Sequence, residues 1–188
     1  MKTGKNLVGQ LLVAIPNTYH TDYHRSLILV TSHWDAGSSM VIINRPSQNQ
    51  VPVTAVLENA GIQCSEWKGL AYYGGPMEQN RVQIVHTLDW AVANTRQITD
   101  EIGITNETSI LAAIAANEGP RAWRCVVGQR ILGPGELEGE MSGEHPWSDG
   151  HRWLTVPAEV NTVFGGSGDQ QWLNGIELAG RKEIASWF

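Results

Sequence analysis

Three short apolar runs near the start of the chain, each followed by a turn, constrain the fold more than any other feature. The first runs from Leu11 to Ile15 and is followed by a polar loop. The second, from Ser26 to Ser32, has the continuous apolar centre of a strand that is covered on both faces. The third, from Ser38 to Pro46, follows a turn at Gly37. Together the three runs predict an antiparallel meander.

Helical patterns alternate with further strands in the rest of the chain. Apolar residues at helical spacing predict a helix from Pro52 to Gly61, and a longer one from Thr105 to Pro120 that Thr105 or Asn106 caps. The other predicted elements are strands at 70–75, 82–87, 122–128 and 153–157, a short helix over 133–141 and a last helix that Asp169 caps. This order predicts an α+β fold, with a mixed, strongly bent or barrel-like sheet flanked by helices, as a single domain over residues 1–188.

The charge of the chain bears on its partners. Thirteen Lys and Arg against 19 Asp and Glu give a formal charge of −6, which opposes non-specific attraction to a phosphate backbone. A nucleic-acid interface would therefore need a local basic patch, and the nearest candidate is Arg121, Arg124 and Arg130. We interpret these three arginines as scattered surface charge, so direct binding of nucleic acid is not expected.

Cysteine usage and hydropathy indicate the compartment. Cys64 and Cys125 are far apart and form no C-x-x-C motif, which favours reduced thiols over a disulfide or a thiolate metal site. The apolar run from Leu7 to Ile15 is short and has no cleavage motif after it, so a buried strand explains it better than a signal peptide. No stretch is long enough to span a bilayer. We expect a soluble cytoplasmic protein that has no membrane partner and no cofactor.

The histidines supply two kinds of candidate. His20 and His24, with Asp22 between them, have the spacing of metal ligands, but they lie in a polar loop without an evident third ligand. Solvent-exposed loop histidines are the favoured interpretation. His33 and His86 each end a predicted strand, where a histidine can act as a general base or, more often, fix a turn by hydrogen bonds.

Two further segments resemble catalytic motifs. Glu136, Glu138 and Glu140 could bind a divalent cation or act as acid and base, but a helix dipole also favours acidic residues at a solvated helix start. We favour the solvated start. The segment "GGSGD", 165–169, lacks the final glycine of G-x-S-x-G because Asp169 stands there, and it predicts a flexible loop. The sequence therefore predicts no catalytic residue and no metal site.

The segment "YYGGPM", residues 72–77, contains the adjacent glycines Gly74 and Gly75 after a short strand. It has neither the G-x-G-x-x-G pattern nor the G-K-[ST] ending of phosphate-binding loops. Pro76 also removes a backbone N–H that a phosphate cradle would use. The segment predicts a tight turn at the end of a strand.

In their order and spacing, these segments resemble the AlgH/YqgE family of small bacterial proteins. The matching segments cover about residues 8 to 180 and are "GQLLVAIP", "RSLILVTSH", "INRP", "YYGGPM", "VQIVH", "EGP" and "GPGELEGE". The residues that match the family's motifs by position are Pro16, Arg25, Ser26, His33, Asn44, Arg45, Pro46, Gly74, Gly75, Pro76, His86, Gly119, Pro120, Gly133, Pro134, Gly135, Trp153 and Leu154. The chain departs from the family at Ile131 and Leu132, which replace a small residue and a tryptophan.

The resemblance implies an α+β domain with a small barrel-like core, and members of the family are often described as transcriptional regulators. It supplies no catalytic reaction. Polar residues at strand ends and turns are commonly displayed for binding. The candidate ligand-binding residues of this kind are Arg25, His33, Asn44, Arg45, Gly74, Gly75 and His86.

Two functions remain open from the sequence. The first is a non-enzymatic regulatory or adaptor domain that binds a protein or a small ligand. The alternative is an enzyme or metabolite-binding protein whose site contains Arg25, His33, Asn44, Arg45 and His86. A structural role is also open for two of them: Arg45 can tie down the glycine turn through carbonyl oxygens, and Asn44 can stabilise the turn before Pro46.

Overall fold

The computed structural model describes residues 6–16, 22–63, 69–143 and 153–185. Within these ranges the strands are β1 (Gln10–Ala14), β2 (Leu27–Trp34), β3 (Gly37–Ile42), β4 (Tyr72–Tyr73), β5 (Met77–Thr87), β6 (Arg96–Gln97), β7 (Ile102–Thr105), β8 (Trp123–Leu132) and β9 (Trp153–Pro157). The helices are α1 (Val53–Asn59), α2 (Thr108–Ala115), α3 (Glu136–Ser142), α4 (Val160–Phe164) and α5 (Gly168–Ala185).

The described strands form one strongly curled sheet in the order β6-β7-β5-β8-β3-β2-β1-β9. Strands β1, β2 and β3 are antiparallel neighbours, which confirms the predicted meander. The short strand β4 lies off this path and is the parallel partner of β8, so the sheet is mixed. The α+β class with a strongly bent sheet is therefore confirmed.

The continuous apolar runs of β1 and β2 arise because both faces of this part of the sheet are covered. Leu11 belongs to a core that contains Trp172 of α5, whereas its neighbour Leu12 belongs to the opposite core with Leu137 of α3. Successive side chains of a strand point to opposite faces. When both faces are buried, every position of the strand therefore needs an apolar residue.

A third core lies beneath α1 and α2, where Leu57 and Ile110 pack with Ile84 of β5. Both helices were predicted, but α2 begins at Thr108 and not at Thr105. The predicted cap was wrong because Thr105 is the last residue of β7, and it pairs with Ile84. Cys125 is buried in the same core, and this burial raises the pKa of its thiol to about 12.

The connection from α4 to α5 corrects two further predictions. Asp169 lies in the first turn of α5 and does not cap it, because the helix begins at Gly168 and the Asp169 carboxylate pairs with Arg25. The segment 165–169, predicted as a flexible loop, is also held by backbone hydrogen bonds to distant residues. The Gly168 N–H donates to the Asn44 carbonyl oxygen at 2.6 Å, and the Gly166 carbonyl accepts from Arg124 at 2.7 Å.

The three arginines that were interpreted as scattered surface charge do not share one environment. Arg124 and Arg130 are buried, so that interpretation is wrong for both, while Arg121 is exposed. Arg124 donates to the Ile43 carbonyl and to Gln171, and its guanidinium lies 4.3 Å from the centre of the Tyr72 ring. Burial lowers the pKa of Arg124, and Tyr72 acts in the opposite direction.

No helix among the described residues is both long enough and apolar enough to cross a bilayer.

Candidate functional site

Arg45 follows β3 and connects two loops. Its guanidinium donates hydrogen bonds to the carbonyl oxygens of Asp22 and His24, while its own carbonyl accepts the Tyr73 N–H at 2.8 Å. Burial lowers the pKa of Arg45, and nearby Tyr73 and Asp22 act in the opposite direction. The expected carbonyl-binding role is present, but the guanidinium binds the loop at residues 22–24 and not the glycine turn.

Asn44 is buried and joins three segments of the chain through its side chain. Its Oδ1 accepts the Leu27 N–H at 2.8 Å, and its Nδ2 donates to the carbonyl oxygens of Arg25 at 2.9 Å and Gly168 at 3.0 Å. These bonds attach the start of β2 and the start of α5 to the end of β3. Both polar atoms of the amide are therefore engaged within the protein.

Arg25 has a left-handed backbone, with φ of +53°, which is uncommon for a residue other than glycine. Its guanidinium pairs with Asp169 and lies 5.5 Å from the centre of the Trp172 ring. Because its carbonyl also binds Asn44, Arg25 belongs to the same hydrogen-bonded neighbourhood as Asn44 and Arg45.

Gly74 and Gly75 form the point at which the turn meets β8. The Gly74 N–H donates to the Val127 carbonyl at 2.8 Å, and the Gly74 carbonyl accepts the Ile42 N–H at 2.8 Å. A Cβ on Gly74 would overlap the Gly128 carbonyl, and one on Gly75, whose φ is +149°, would overlap the carbonyl of Gln129. Two glycines are required because the backbones approach more closely than any side chain allows.

A bulge in β5 follows this turn. Met77 pairs with Gln129 and Val82 pairs with Val127, so residues 78–81 all lie opposite the single residue between those two partners. The bulged residues are exposed, and Glu78 has a left-handed φ of +50°. Bulges of this kind redirect side chains and are common beside functional sites.

A polar cleft of about 340 Å³ lies between the loop after Arg45, the end of β4 and this bulge. Its lining residues are Asp22, Ser47, Gln48, Asn49, Tyr73 and Gln79. No hydrogen bond joins the side chains of Ser47, Gln48, Asn49 or Tyr73 to another described residue. The cleft therefore presents hydroxyl and carboxamide groups that can bind a partner.

Tyr73 is half-buried in this cleft. Burial raises the pKa of its phenol, Asp22 and Tyr23 act in the same direction, and Arg45 opposes them. The phenol therefore stays neutral at physiological pH and can both donate and accept a hydrogen bond.

His33 lies away from the cleft, at the end of β2. Its Nδ1 accepts the Leu7 N–H at 3.1 Å, and its Nε2 lies 2.9 Å from Oε1 of Glu138. Because the Leu7 N–H can only donate, Nδ1 carries no proton and Nε2 donates to the carboxylate. Both ring nitrogens are thus engaged in attaching α3 and the segment before β1 to the sheet.

His86 occupies a third location, fully buried beside β7. Its Nδ1 donates to the Thr87 carbonyl at 2.9 Å, and its Nε2 accepts from the Thr105 hydroxyl at 2.8 Å. Burial lowers the pKa of His86, against smaller opposing effects of the Thr87 carbonyl and Asp89. The neutral ring fixes the end of β5.

The seven candidate residues therefore lie in three places. The hydrogen-bonded neighbourhood beside the polar cleft contains Arg25, Asn44, Arg45, Gly74 and Gly75. His33 and His86 each have their own separate set of partners.

The three glutamates of α3 have separate partners. Glu136 accepts the Gly133 N–H at 2.8 Å, and Glu138 binds His33. Glu140 is buried and paired with Arg130, so the expected solvated position is wrong for this residue. Within the ranges that the structure describes, no three His, Cys, Asp or Glu residues are arranged to hold a metal ion. His20, one of the two histidines interpreted as exposed loop residues, lies outside the described residues.

A family model described as AlgH-like (DUF179) matches residues 11–183 of the chain. The chain belongs to this family. A UPF0301 protein of Ruegeria pomeroyi is 30% identical over 179 residues, which cover 93% of this chain and 92% of the relative. A UPF0301 protein of Marinomonas sp. is 30% identical over 175 residues, which cover 92% of this chain and 88% of that relative. The resemblance found in the sequence motifs is thereby confirmed.

Two solved structures have a similar fold. The AlgH protein of Pseudomonas aeruginosa superimposes with a TM-score of 0.75 at 23% identity, covering 96% of this chain and 92% of that protein. A protein of Corynebacterium diphtheriae gives a TM-score of 0.68 at 23% identity, covering 93% and 87%. Both likenesses concern the fold.

Sequence reasoning overlooked the residues that line the cleft. Ser47, Gln48 and Asn49 directly follow the "INRP" motif, and Tyr73 directly precedes the two glycines. Their position next to family motifs is the signal that could have identified them. The departure at Ile131 lies elsewhere, on β8, where the side chain is exposed and opposite Ser39.

Proposed function

We propose that the chain is a non-enzymatic regulatory or adaptor domain of the cytoplasm, and that it recognises its partner through the polar cleft. The observation that carries the proposal is the open hydrogen-bonding capacity of Ser47, Asn49 and Tyr73 on one concave surface. Arg45 and the glycine turn hold the walls of this surface in place. A pre-organised polar surface binds a partner at a low cost in conformational entropy.

The engagement of the titratable side chains supports binding over catalysis. His33 and His86 use both ring nitrogens within the fold. Arg45 is directed to backbone carbonyls. An enzyme built on these residues would need them at one reacting centre, where a general base must reach the proton that it removes.

The charge distribution supports a protein or small-molecule partner over nucleic acid. The chain carries a formal charge of −6, and burial removes Arg124 and Arg130 from the surface. Nucleic-acid affinity derives largely from exposed cations on one face, and the candidate patch retains only Arg121.

The test is affinity capture from host lysate with three forms of the protein. The wild type is compared with a cleft variant, Ser47→Ala/Asn49→Ala/Tyr73→Phe, and with a control, Asn59→Ala/Gln97→Ala, that removes exposed amides elsewhere. Bound proteins and small molecules are identified by mass spectrometry. The control variant should retain a specific partner. The cleft variant should bind that partner at least about tenfold more weakly, which corresponds to the loss of about one hydrogen bond. Equal capture by wild type and cleft variant would show that the cleft is not the recognition surface.

A further inference from the structure

A second cavity, of about 520 Å³, lies where α2 ends, β8 begins and α4 ends. The lining residues that matter here are Ile114, Asn117, Pro120, Arg121, Trp123 and Phe164. It shares no lining residue with the polar cleft. The "EGP" motif, which the proposed function does not use, ends at Pro120 in its wall. We call it the α2–α4 cavity.

The walls of the α2–α4 cavity combine polar residues with an apolar and aromatic part. Ile114 is buried, while Trp123 and Phe164 are half-buried and belong to different core clusters on either side. Aromatic rings offer large flat surfaces on which another ring can stack. The volume falls within the range of pockets that hold small organic ligands.

Two polar groups of the cavity are open. The Arg121 guanidinium forms no hydrogen bond or ion pair with any described residue, in contrast to buried Arg124 and Arg130. Asn117 has a left-handed φ of +59°, and its carboxamide likewise binds no described residue. Pocket-lining polar groups of this kind orient a ligand and give it specificity.

Asp89 is an acidic residue near Arg121, and it forms hydrogen bonds with the Thr87 side chain and the Arg121 backbone. Its Oδ2 accepts the Arg121 backbone N–H at 3.0 Å. Burial acts to raise the pKa of Asp89. Its hydrogen bonds, chiefly with Thr87 and the Arg121 N–H, and the Arg121 charge outweigh burial, so the pKa is lowered. The guanidinium donors of Arg121 therefore remain available to a ligand.

We propose that the α2–α4 cavity binds a flat aromatic monoanion of the aryl carboxylate class. The ring lies against Trp123 and Phe164, and the carboxylate accepts hydrogen bonds from the Arg121 guanidinium and the Asn117 amide. A guanidinium matches a carboxylate with two parallel hydrogen bonds. The protein as a whole is negatively charged and repels anions. The positive charge of Arg121 therefore supplies the local attraction for an anionic ligand. This site is separate from the polar cleft of the proposed function, because it binds a different ligand at a different place.

The experiment is a titration of the ¹⁵N-labelled full chain with 1-naphthoate, followed by two-dimensional NMR. Amide signals of residues 114–123 and of Phe164 should shift at ligand concentrations below about 1 mM. Arg121→Gln should weaken 1-naphthoate binding at least about tenfold, the cost of a charge-assisted hydrogen bond, and leave the melting temperature unchanged. Neutral 1-naphthalenemethanol should bind more weakly, and Arg121→Gln should alter its affinity less than about twofold.

The matched control is Arg181→Gln, which removes another exposed arginine, on α5. It should leave 1-naphthoate affinity within about twofold of wild type. The proposal is overturned if these amide signals do not move up to about 5 mM 1-naphthoate. It is equally overturned if Arg121→Gln binds as the wild type does, or if Arg181→Gln weakens binding as much as Arg121→Gln.

Discussion

The Arg130 guanidinium and the Glu140 carboxylate form a two-pronged ion pair in which each side chain is only 6% exposed. The pair attaches α3 to β8. Glu140 also accepts the Trp153 indole N–H at 3.0 Å, and the guanidinium lies 4.4 Å from the centre of the Tyr23 ring. Aromatic rings thus complete the surroundings of an almost fully buried charge pair.

Glu140→Gln should destabilise the protein by about 3–5 kcal/mol, because it leaves the Arg130 charge buried without its counter-ion. The free energy of unfolding is measured by urea denaturation at pH 7. Glu177→Gln is the matched control, since Glu177 pairs with Arg181 at the exposed surface of α5. Its effect should stay below about 0.5 kcal/mol. Similar losses for both variants would contradict a special role of the buried pair.

Arg45→Ala should destabilise the fold by about 2 kcal/mol, because the Asp22 and His24 carbonyls lose their donors. The melting temperature should fall by about 4–8 °C, as expected for a domain of this size. Arg181→Ala, at an exposed position, is the control and should change it by less than about 1 °C. An unchanged melting temperature for Arg45→Ala, together with lost partner capture, would assign Arg45 to binding.

Gly74→Ala and Gly180→Ala should have opposite effects on stability. A methyl group at position 74 overlaps the Gly128 carbonyl, which should cost more than about 3 kcal/mol or prevent folding. Gly180 lies in α5 with open space around its Cβ position, so alanine there should stabilise by about 0.5–1 kcal/mol. Urea denaturation of both variants provides the measurement. A stable Gly74→Ala protein would show that the close approach of the two backbones is dispensable.

His86 should make the protein less stable as the pH falls. Its folded pKa is lowered by burial, so below about pH 6.5 the unfolded chain takes up a proton that the folded chain does not. The contribution of His86 to stability is complete above the pKa that His86 has in the unfolded chain. As the pH falls towards the lower pKa of the folded protein, this contribution is lost by at most about 1.4 kcal/mol per pH unit. Urea denaturation between about pH 7.5 and pH 5 should show a smaller slope for His86→Gln than for the wild type. Identical slopes would exclude His86 as a source of this dependence.

The elements with strong local patterns could be predicted from the sequence. The meander of β1, β2 and β3 follows from apolar runs and turns, and α1 follows from apolar residues at helical spacing. The strands β6 and β7 were not predicted, because two- and four-residue strands are held by pairing with each other and with β5. The five-residue helix α4 was missed as well, since one turn and a half carries little periodic signal.

The candidate site was predictable only in part. The segment around Asn44, Arg45, Gly74 and Gly75 was recognised, and the structure places these residues together. The partners of Arg45 were not predicted, because the Asp22 and His24 carbonyls lie 23 and 21 residues away along the chain. The same limit applies to Arg130 and Glu140, whose charges suggested exposure.

By itself, the sequence determined the α+β class, the bent sheet and membership of the AlgH-like family, because these depend on apolar periodicity and motif order. Only the tertiary structure decided which polar residues serve the fold and which remain open to a partner. His33, Asn44 and Arg45 have the residue types of a site, yet their hydrogen bonds join segments that are distant in sequence. Ser47, Asn49 and Tyr73 line the cleft, and their side chains form no hydrogen bond with the residues that the structure describes. A side chain's burial and partners depend on such distant segments, and no local pattern encodes them.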